Sequence, residues 1–378
     1  MDVVGATTDV RIRRAQTADN DSLSRLFADV SMEADLDLEV RREPDFFGLY
    51  RVQGDDWECW VAENDRGVAG MGTILVRDGY LDGCLRRIGY LGDLRLSPEL
   101  QGKKLLPRFY GPILSEAARR YGCDVFLTTV IASNKRAMRA LTGDGARASG
   151  IPPYVLIRRF DIRAVHLTVP LPRPRTNIAV RRAGADDVAD IAAFLDDDGR
   201  RRPFGYAVPE RELERRLRVW PDLDPSSFLL AHDRSGDLVG CIALWDPHAL
   251  KRMVVRGYHG RMRAVHHIYN AAAKILRFCP LPPPGGQLGY GYATHVAVPS
   301  DDPGVLRALL HAAYTEQRRT GRTSLAFCVF ADDPLAPAFR GFPYTDLSTN
   351  LYAVAAPETE LPPGCFAAGR PGFEMALV

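Results

Sequence analysis

At 378 residues, 46% hydrophobic and 25% charged, the sequence is longer than one core usually serves and reads as an ordinary globular chain of two domains. Its formal net charge of +2 is near balance, so nothing in the composition argues for nucleic acid, and no such partner is expected. The cations are mostly Arg; the lysines are Lys103, Lys104, Lys135, Lys251 and Lys274, which makes the adjacent pair conspicuous.

Residues 1–10 carry Asp2 and Asp9 and no apolar run beside basic residues, so no secretory signal is expected, and no stretch approaches a membrane span. Residues 10–15 alternate as a short strand and lead into a helix with Leu23, Leu26, Phe27 and Val30 on one face. Strands at 59–62 and 68–76 flank the polar turn Asn64-Asp65-Arg66-Gly67 as a hairpin. A strand at 91–98 ends in Pro98. A loop and a helix closing on Arg119-Arg120-Tyr121-Gly122 follow, with the glycine as stop, and then a buried strand at 125–131.

Val169-Pro170-Leu171-Pro172-Arg173-Pro174-Arg175 lacks the backbone donors of a helix or inner strand and reads as an extended spacer. Beyond it the same order returns. A strand at 178–183 precedes a helix with Val188, Ile191, Phe194 and Leu195. A hairpin at 228–231 and 238–245 turns at Asp233-Arg234-Ser235-Gly236. Next come a strand at 293–299, a helix closing on Arg318-Arg319-Thr320-Gly321, and a strand at 325–330. An internal repeat of this kind constrains the whole fold. It predicts two tandem α/β domains, 1–168 and 176–355, each a mixed sheet flanked by helices, with a linker at 169–175 and a tail at 356–378.

The second copy carries an insertion at 246–291. Met262, Val265, Ile268, Ala272, Ile275 and Leu276 form an apolar stripe, with Arg261, Arg263, Lys274 and Arg277 largely elsewhere, so a basic amphipathic helix is expected. Two readings fit it: packing against the sheet or a partner subunit of a homo-oligomer, or a lid over a substrate. Adjacent His266 and His267 cannot share a helix face, and no metal site is expected. The seven cysteines are scattered without Cys-x-x-Cys spacing, which fits free thiols in a reducing cytoplasm.

The element order resembles the GNAT acyltransferase fold, in two copies over nearly the full chain. The sharpest match is Leu94-Arg95-Leu96-Ser97-Pro98-Glu99-Leu100-Gln101-Gly102-Lys103-Lys104-Leu105, where the family has an apolar strand and a loop whose backbone N–H groups cradle the coenzyme A diphosphate at a helix N-terminus. The resemblance implies acetyl-CoA or another acyl-CoA as co-substrate, contacted by Leu94, Leu96, Gln101, Gly102, Lys103, Lys104 and Leu105. Lys104 and Leu106 depart from the pattern, standing where small residues are usual. Asn134, in Ser133-Asn134-Lys135-Arg136, matches a segment that often meets the pantetheine arm; a helix cap is its other reading.

The implied reaction is attack of an amine, on a small molecule or peptide, at the acyl-CoA thioester. The implied general base is Asp93 beside the fourth strand, with Glu99 a poorer alternative. Thr142 stands where the family places its acidic Tyr, so Tyr154 is the candidate acid. In the second copy Asp301 and Asp302 occupy the diphosphate position, and Asp332 and Asp333 replace the Asn. That half is therefore expected to be structural, with His295 placed like Asp93. Two other functions remain open: a Fem-type aminoacyl-tRNA-dependent transferase and a silent binding or scaffold protein. The tail, with Phe366, Phe373, Met375 and Leu377, is expected to dock back and bring the Val378 carboxylate toward a cleft.

Overall fold

Alternation of apolar and polar side chains decides which strands are half-buried, and near-continuous apolar runs mark the central ones. The computed structural model describes residues 3–7, 10–29, 35–102, 105–143, 146 and 149–377. Lys103, Lys104 and Val378 lie outside them.

In chain order, β1 (Val3–Thr7) and β2 (Val10–Arg14) are followed by α1 (Asn20–Asp29), β3 (Leu36–Arg41) and the single turn α2 (Gly48–Arg51). Then come β4 (Trp57–Asn64), β5 (Gly67–Leu81), β6 (Cys84–Leu96), α3 (Leu105–Tyr121), β7 (Val125–Ile131), α4 (Lys135–Thr142) and β8 (Tyr154–His166). The second half runs β9 (Ala179–Arg182), α5 (Val188–Arg200), β10 (Gly205–Tyr206), α6 (Glu210–Val219), β11 (Phe228–His232), β12 (Leu238–Trp245) and β13 (Arg252–Tyr258). It continues with α7 (Gly260–Leu276), β14 (Tyr290–Ala297), α8 (Pro303–Gln317), β15 (Ser324–Phe330) and β16 (Tyr344–Ala355). The long β5–β6 hairpin turns at Asp82 and Gly83, both at positive φ (52° and 71°), as a tight two-residue turn requires.

Where the sequence predicts two sheets, the structure has one. Its order is β1-β2-β4-β5-β6-β7-β16-β8-β15-β14-β12-β11-β9, with β10 added to the far end of β5. The halves are joined because their last strands change places. β16 pairs with β7 from Val125 to Ile131, and β8, from the first half, pairs with β15 from Ser324 to Phe330. β16 and β8 also pair with each other, so two buried edges that would be left with open hydrogen-bonding groups are closed by the other half. The spacer at 169–175 has no regular structure and is held to α8, with the Val169 carbonyl accepting from Tyr314 Oη at 2.8 Å.

Helices cover both faces. On one, α1, α2, α5 and α6 share a single core running through both halves, with Phe27, Tyr50, Leu75 and Tyr90 from the first and Leu195, Trp220 and Tyr292 from the second. On the other, α3 and α4 pack over Ile74, Val76, Leu91 and Phe126, and α8 packs over Leu229, Ile242 and Phe327. The insertion holds β13, which pairs with β3 of the first half as a separate ribbon, and then α7. The tail crosses back over the junction with Cys365, Phe373, Met375 and Ala376 buried; Phe366 is exposed, contrary to expectation.

Candidate functional site

Two clefts open where parallel strands part. β6 runs beside β7 only from Ile88 to Tyr90, and β14 beside β15 only from Tyr290 to Tyr292. The first strand of each pair is bulged against its antiparallel neighbour, β5 or β12, just beyond, at Asp93 and at His295. Both residues have left-handed backbones, φ 50° and 51°, which are strained for side chains other than glycine and mark equivalent positions. Different side chains stand there, and different surroundings.

Asp93 is clamped. Arg42, at the end of β3, donates from Nη1 to Oδ2 at 2.8 Å and from Nη2 to Oδ1 at 3.2 Å, and Tyr50 Oη of α2 donates to Oδ2 at 2.6 Å. Arg42 is 3% exposed and lies over the rings of Phe27, Phe46 and Tyr50. Burial raises the Asp93 pKa, but Arg42 and the Tyr50 hydroxyl outweigh it and hold the carboxyl below its ordinary value. Burial likewise disfavours the Arg42 cation, and Asp93 more than offsets it. A small cavity opens beside this triad, lined also by Gln53, Thr73, Tyr90 and Gly92. Thr73 Oγ1 is buried in it and has no hydrogen-bond partner among the described residues. Arg77, equally buried, donates to Gln53 Oε1 at 3.2 Å and lies over Tyr206, and burial lowers its pKa.

His295 is buried and saturated. Its Nε2 lies 3.0 Å from Arg216 Nη1 and its Nδ1 3.1 Å from Thr294 Oγ1, so Nε2 accepts and Nδ1 carries the proton. Burial, then the Arg216 charge, pushes its pKa well below normal, so the ring is neutral. The tail supplies Glu374, whose Oε2 accepts from Thr294 Oγ1 at 2.8 Å and from the His295 N–H at 3.0 Å. Burial raises the Glu374 pKa. Next to it Phe373 packs on Tyr90 and Phe160, linking the second cleft to the first. No local pattern pointed to Arg42, Tyr50, Arg77 or Glu374.

The two loops at the helix N-termini also differ. In the second half, Asp302 Oδ1 accepts from Gly304 N–H at 2.7 Å and caps α8, while Asp301 faces Arg202 at 3.2 Å and Arg370 at 3.6 Å. That helix end is filled by the chain's own carboxylates. In the first half Gly102 has φ 83°, and, its chain neighbours apart, no described residue lies within 4 Å of where a Cβ would stand. Gln101 Nε2 folds back to the Leu96 carbonyl at 2.9 Å, and Ser97 Oγ is buried with no partner among the described residues. Leu94 is exposed, while Leu105 is buried beneath the loop. An open loop with an orphaned hydroxyl fits a phosphate group.

The remaining sequence candidates are dispersed. Glu99 accepts from Asn64 Nδ2 at 2.9 Å and from Arg66, bracing the β4–β5 turn. Asn134 is the cap of α4, its Oδ1 accepting from Ala137 N–H at 3.0 Å. Thr142 Oγ1 donates to the Met138 carbonyl. Tyr154 is buried in the core under α3 and α4, its hydroxyl 2.5 Å from that of Tyr110. It lies on the opposite face of the sheet from Tyr50 and Tyr90, so the structure does not bring it to the Asp93 cavity.

Residues 21–142 match the model of the acetyltransferase (GNAT) family. The chain carries a GNAT domain. That domain holds α1, the Asp93 bulge, the Gly102 loop and α4. No curated protein sequence matches the chain. Among solved structures it is similar to a GCN5-related N-acetyltransferase from Sphaerobacter thermophilus, at 18% identity and TM-score 0.58, over 94% of this chain and 99% of that one. It is also similar to Saccharomyces cerevisiae N-myristoyltransferase with bound myristoyl-CoA, at 12% identity and TM-score 0.62, over 93% and 84%. A third is the GCN5-related glucosamine N-acetyltransferase region of a fungal multi-domain β-N-acetylglucosaminidase, at 15% identity and TM-score 0.61; the match takes 92% of this chain but spans only 38% of that protein. At these identities the likeness establishes the GNAT fold. No helix among the described residues is long and apolar enough to cross a membrane.

Proposed function

We propose that the protein is an acyl-CoA-dependent N-acyltransferase in which 1–168 binds acyl-CoA and 176–355, joined through 169–175, is structural. The observation that carries this reading is the asymmetry of the two loops. One cradle is open around Gly102, and the other is closed by Asp302 on its own helix. Lys103 and Lys104, read from the sequence, add positive charge to the open one.

In the proposed reaction the nitrogen of an amine acceptor attacks the thioester carbonyl carbon. The carbon–sulfur bond breaks, an amide forms, and coenzyme A leaves as the thiol, taking up the proton the amine gives away. The cavity beside Asp93 is the proposed end of the acceptor path. Asp93 suits the task of fixing Arg42 and Tyr50 at that cavity better than the base role expected of it. A carboxylate with both oxygens engaged and a lowered pKa is a weak proton acceptor.

Calorimetry with coenzyme A tests the assignment. Lys103→Glu/Lys104→Glu and Gly102→Val should each weaken binding by more than about tenfold, and Asp301→Ala/Asp302→Ala should leave it unchanged. The opposite pattern would move the site to the second half, and no binding by the wild type would remove the function.

A further inference from the structure

The insertion leaves α7 with its apolar stripe turned outward. The helix is held from one side only. Asn270 donates to the Leu281 carbonyl at 3.0 Å and accepts from its N–H at 2.8 Å. His266 stacks on Tyr258 with ring centroids 4.1 Å apart, and Ala273 is the buried side chain. On the far side Ile275 is 78% exposed and Ile268 70%, with Leu276 and Val265 also exposed beside them. Four large aliphatic side chains along one exposed helix face form a patch that monomeric surfaces seldom carry without a use.

Charge identifies the occupant. Between Asp246 and Asp301 the sequence has no acidic residue at all, in a chain that otherwise carries 47. Arg261, Arg263, Lys274 and Arg277 lie on the helix or at its end, and among the described residues none of them has a carboxylate partner. A second copy packed on the isoleucines would leave Arg263 and Lys274, which lie off that stripe on the same helix, without a counter-charge. A purely polyanionic partner such as nucleic acid would leave the isoleucines without a role. An interface that is apolar below and anionic above satisfies both kinds of side chain.

We propose that α7 is a membrane-docking helix that lies in the surface of an anionic bilayer, with Val265, Ile268, Ile275 and Leu276 entering the acyl region and the cations at the headgroups. The inference is independent of the acyltransferase reading.

Co-sedimentation of the full chain with phosphatidylcholine vesicles, and with vesicles of phosphatidylcholine and phosphatidylglycerol in equal parts, tests it. Binding is expected to the mixed vesicles only and to weaken as salt is raised. Ile268→Asp/Ile275→Asp, at exposed positions that the fold does not need, should lower the partition at least about tenfold. Arg261→Glu/Lys274→Glu should abolish the preference for phosphatidylglycerol. Absence of binding at low salt, or binding untouched by the isoleucine changes, would overturn the proposal. So would a wild-type dimer in light scattering that the isoleucine changes convert to monomer, which would assign the face to a second copy. Binding of duplex DNA that displaces the vesicles and is unaffected by the isoleucine changes would assign it to nucleic acid.

Discussion

Asp93→Asn removes one charge from a buried pair and leaves the Arg42 guanidinium, 3% exposed, without its counter-ion. Breaking such a pair from one side costs about 3–5 kcal/mol, because the orphaned charge keeps its desolvation penalty and loses the attraction that offset it. The Asn amide still accepts one hydrogen bond from Arg42 or Tyr50, so the lower end, about 3 kcal/mol, is expected. Urea denaturation gives the value as a lower midpoint at unchanged slope. The pair's share is isolated by Asp93→Asn/Arg42→Met. With neither charge left to bury, this variant should return to within about 1–2 kcal/mol of wild type. The pH dependence has a fixed sign. The Asp93 pKa is lower folded than unfolded. The stabilisation is therefore complete above the unfolded carboxylate value of about 3.9, and is lost as pH falls through the folded value. The gap between wild type and Asp93→Asn should be flat near neutrality and close only in acid. A cost below about 1 kcal/mol, or a double variant as unstable as the two single losses added, would refute the reasoning.

Truncation after Gly372 removes buried Phe373 and Met375 and frees Thr294 and His295 from Glu374; a loss of about 1.5–3 kcal/mol for each large side chain is expected in the same urea assay. Unchanged stability would mean that the tail is not part of the core. Asp302→Ala removes the cap of α8 and should cost about 1 kcal/mol by thermal or urea unfolding. A neutral result would show that the cap does no more than water could. His295 is neutral when folded and takes up a proton only when unfolded, so its contribution falls as pH drops below about 6.5. Between about pH 6.5 and 5 wild type should lose up to about 2 kcal/mol more than His295→Gln, and parallel pH profiles would rule this out.

The local sequence determined most elements, because periodicity and turn chemistry act over a few residues. The second hairpin at 228–231 and 238–245 is nearly the observed pair β11 and β12, and Gly122 and Gly321 end their helices at positive φ. The repeated order also placed Asp93 and His295 at equivalent positions, and it put Asp301 and Asp302 at the second loop, though it did not show that Asp302 caps α8. What β8 and β16 pair with could not be read in the same way. Both are ordinary strands in sequence, and only the meeting of two open sheet edges decides that they exchange partners. The same holds for the site. Arg42 reaches Asp93 across 51 residues, and Glu374 reaches His295 across 79. An ion pair or a capped amide leaves no periodic mark on the chain. The outward face of α7 shows the division most plainly. Its apolar stripe and its cations were legible as a helix, but whether that stripe is buried or bare depends on what the rest of the fold brings against it. Burial is a property of the neighbours, which only the tertiary structure supplies.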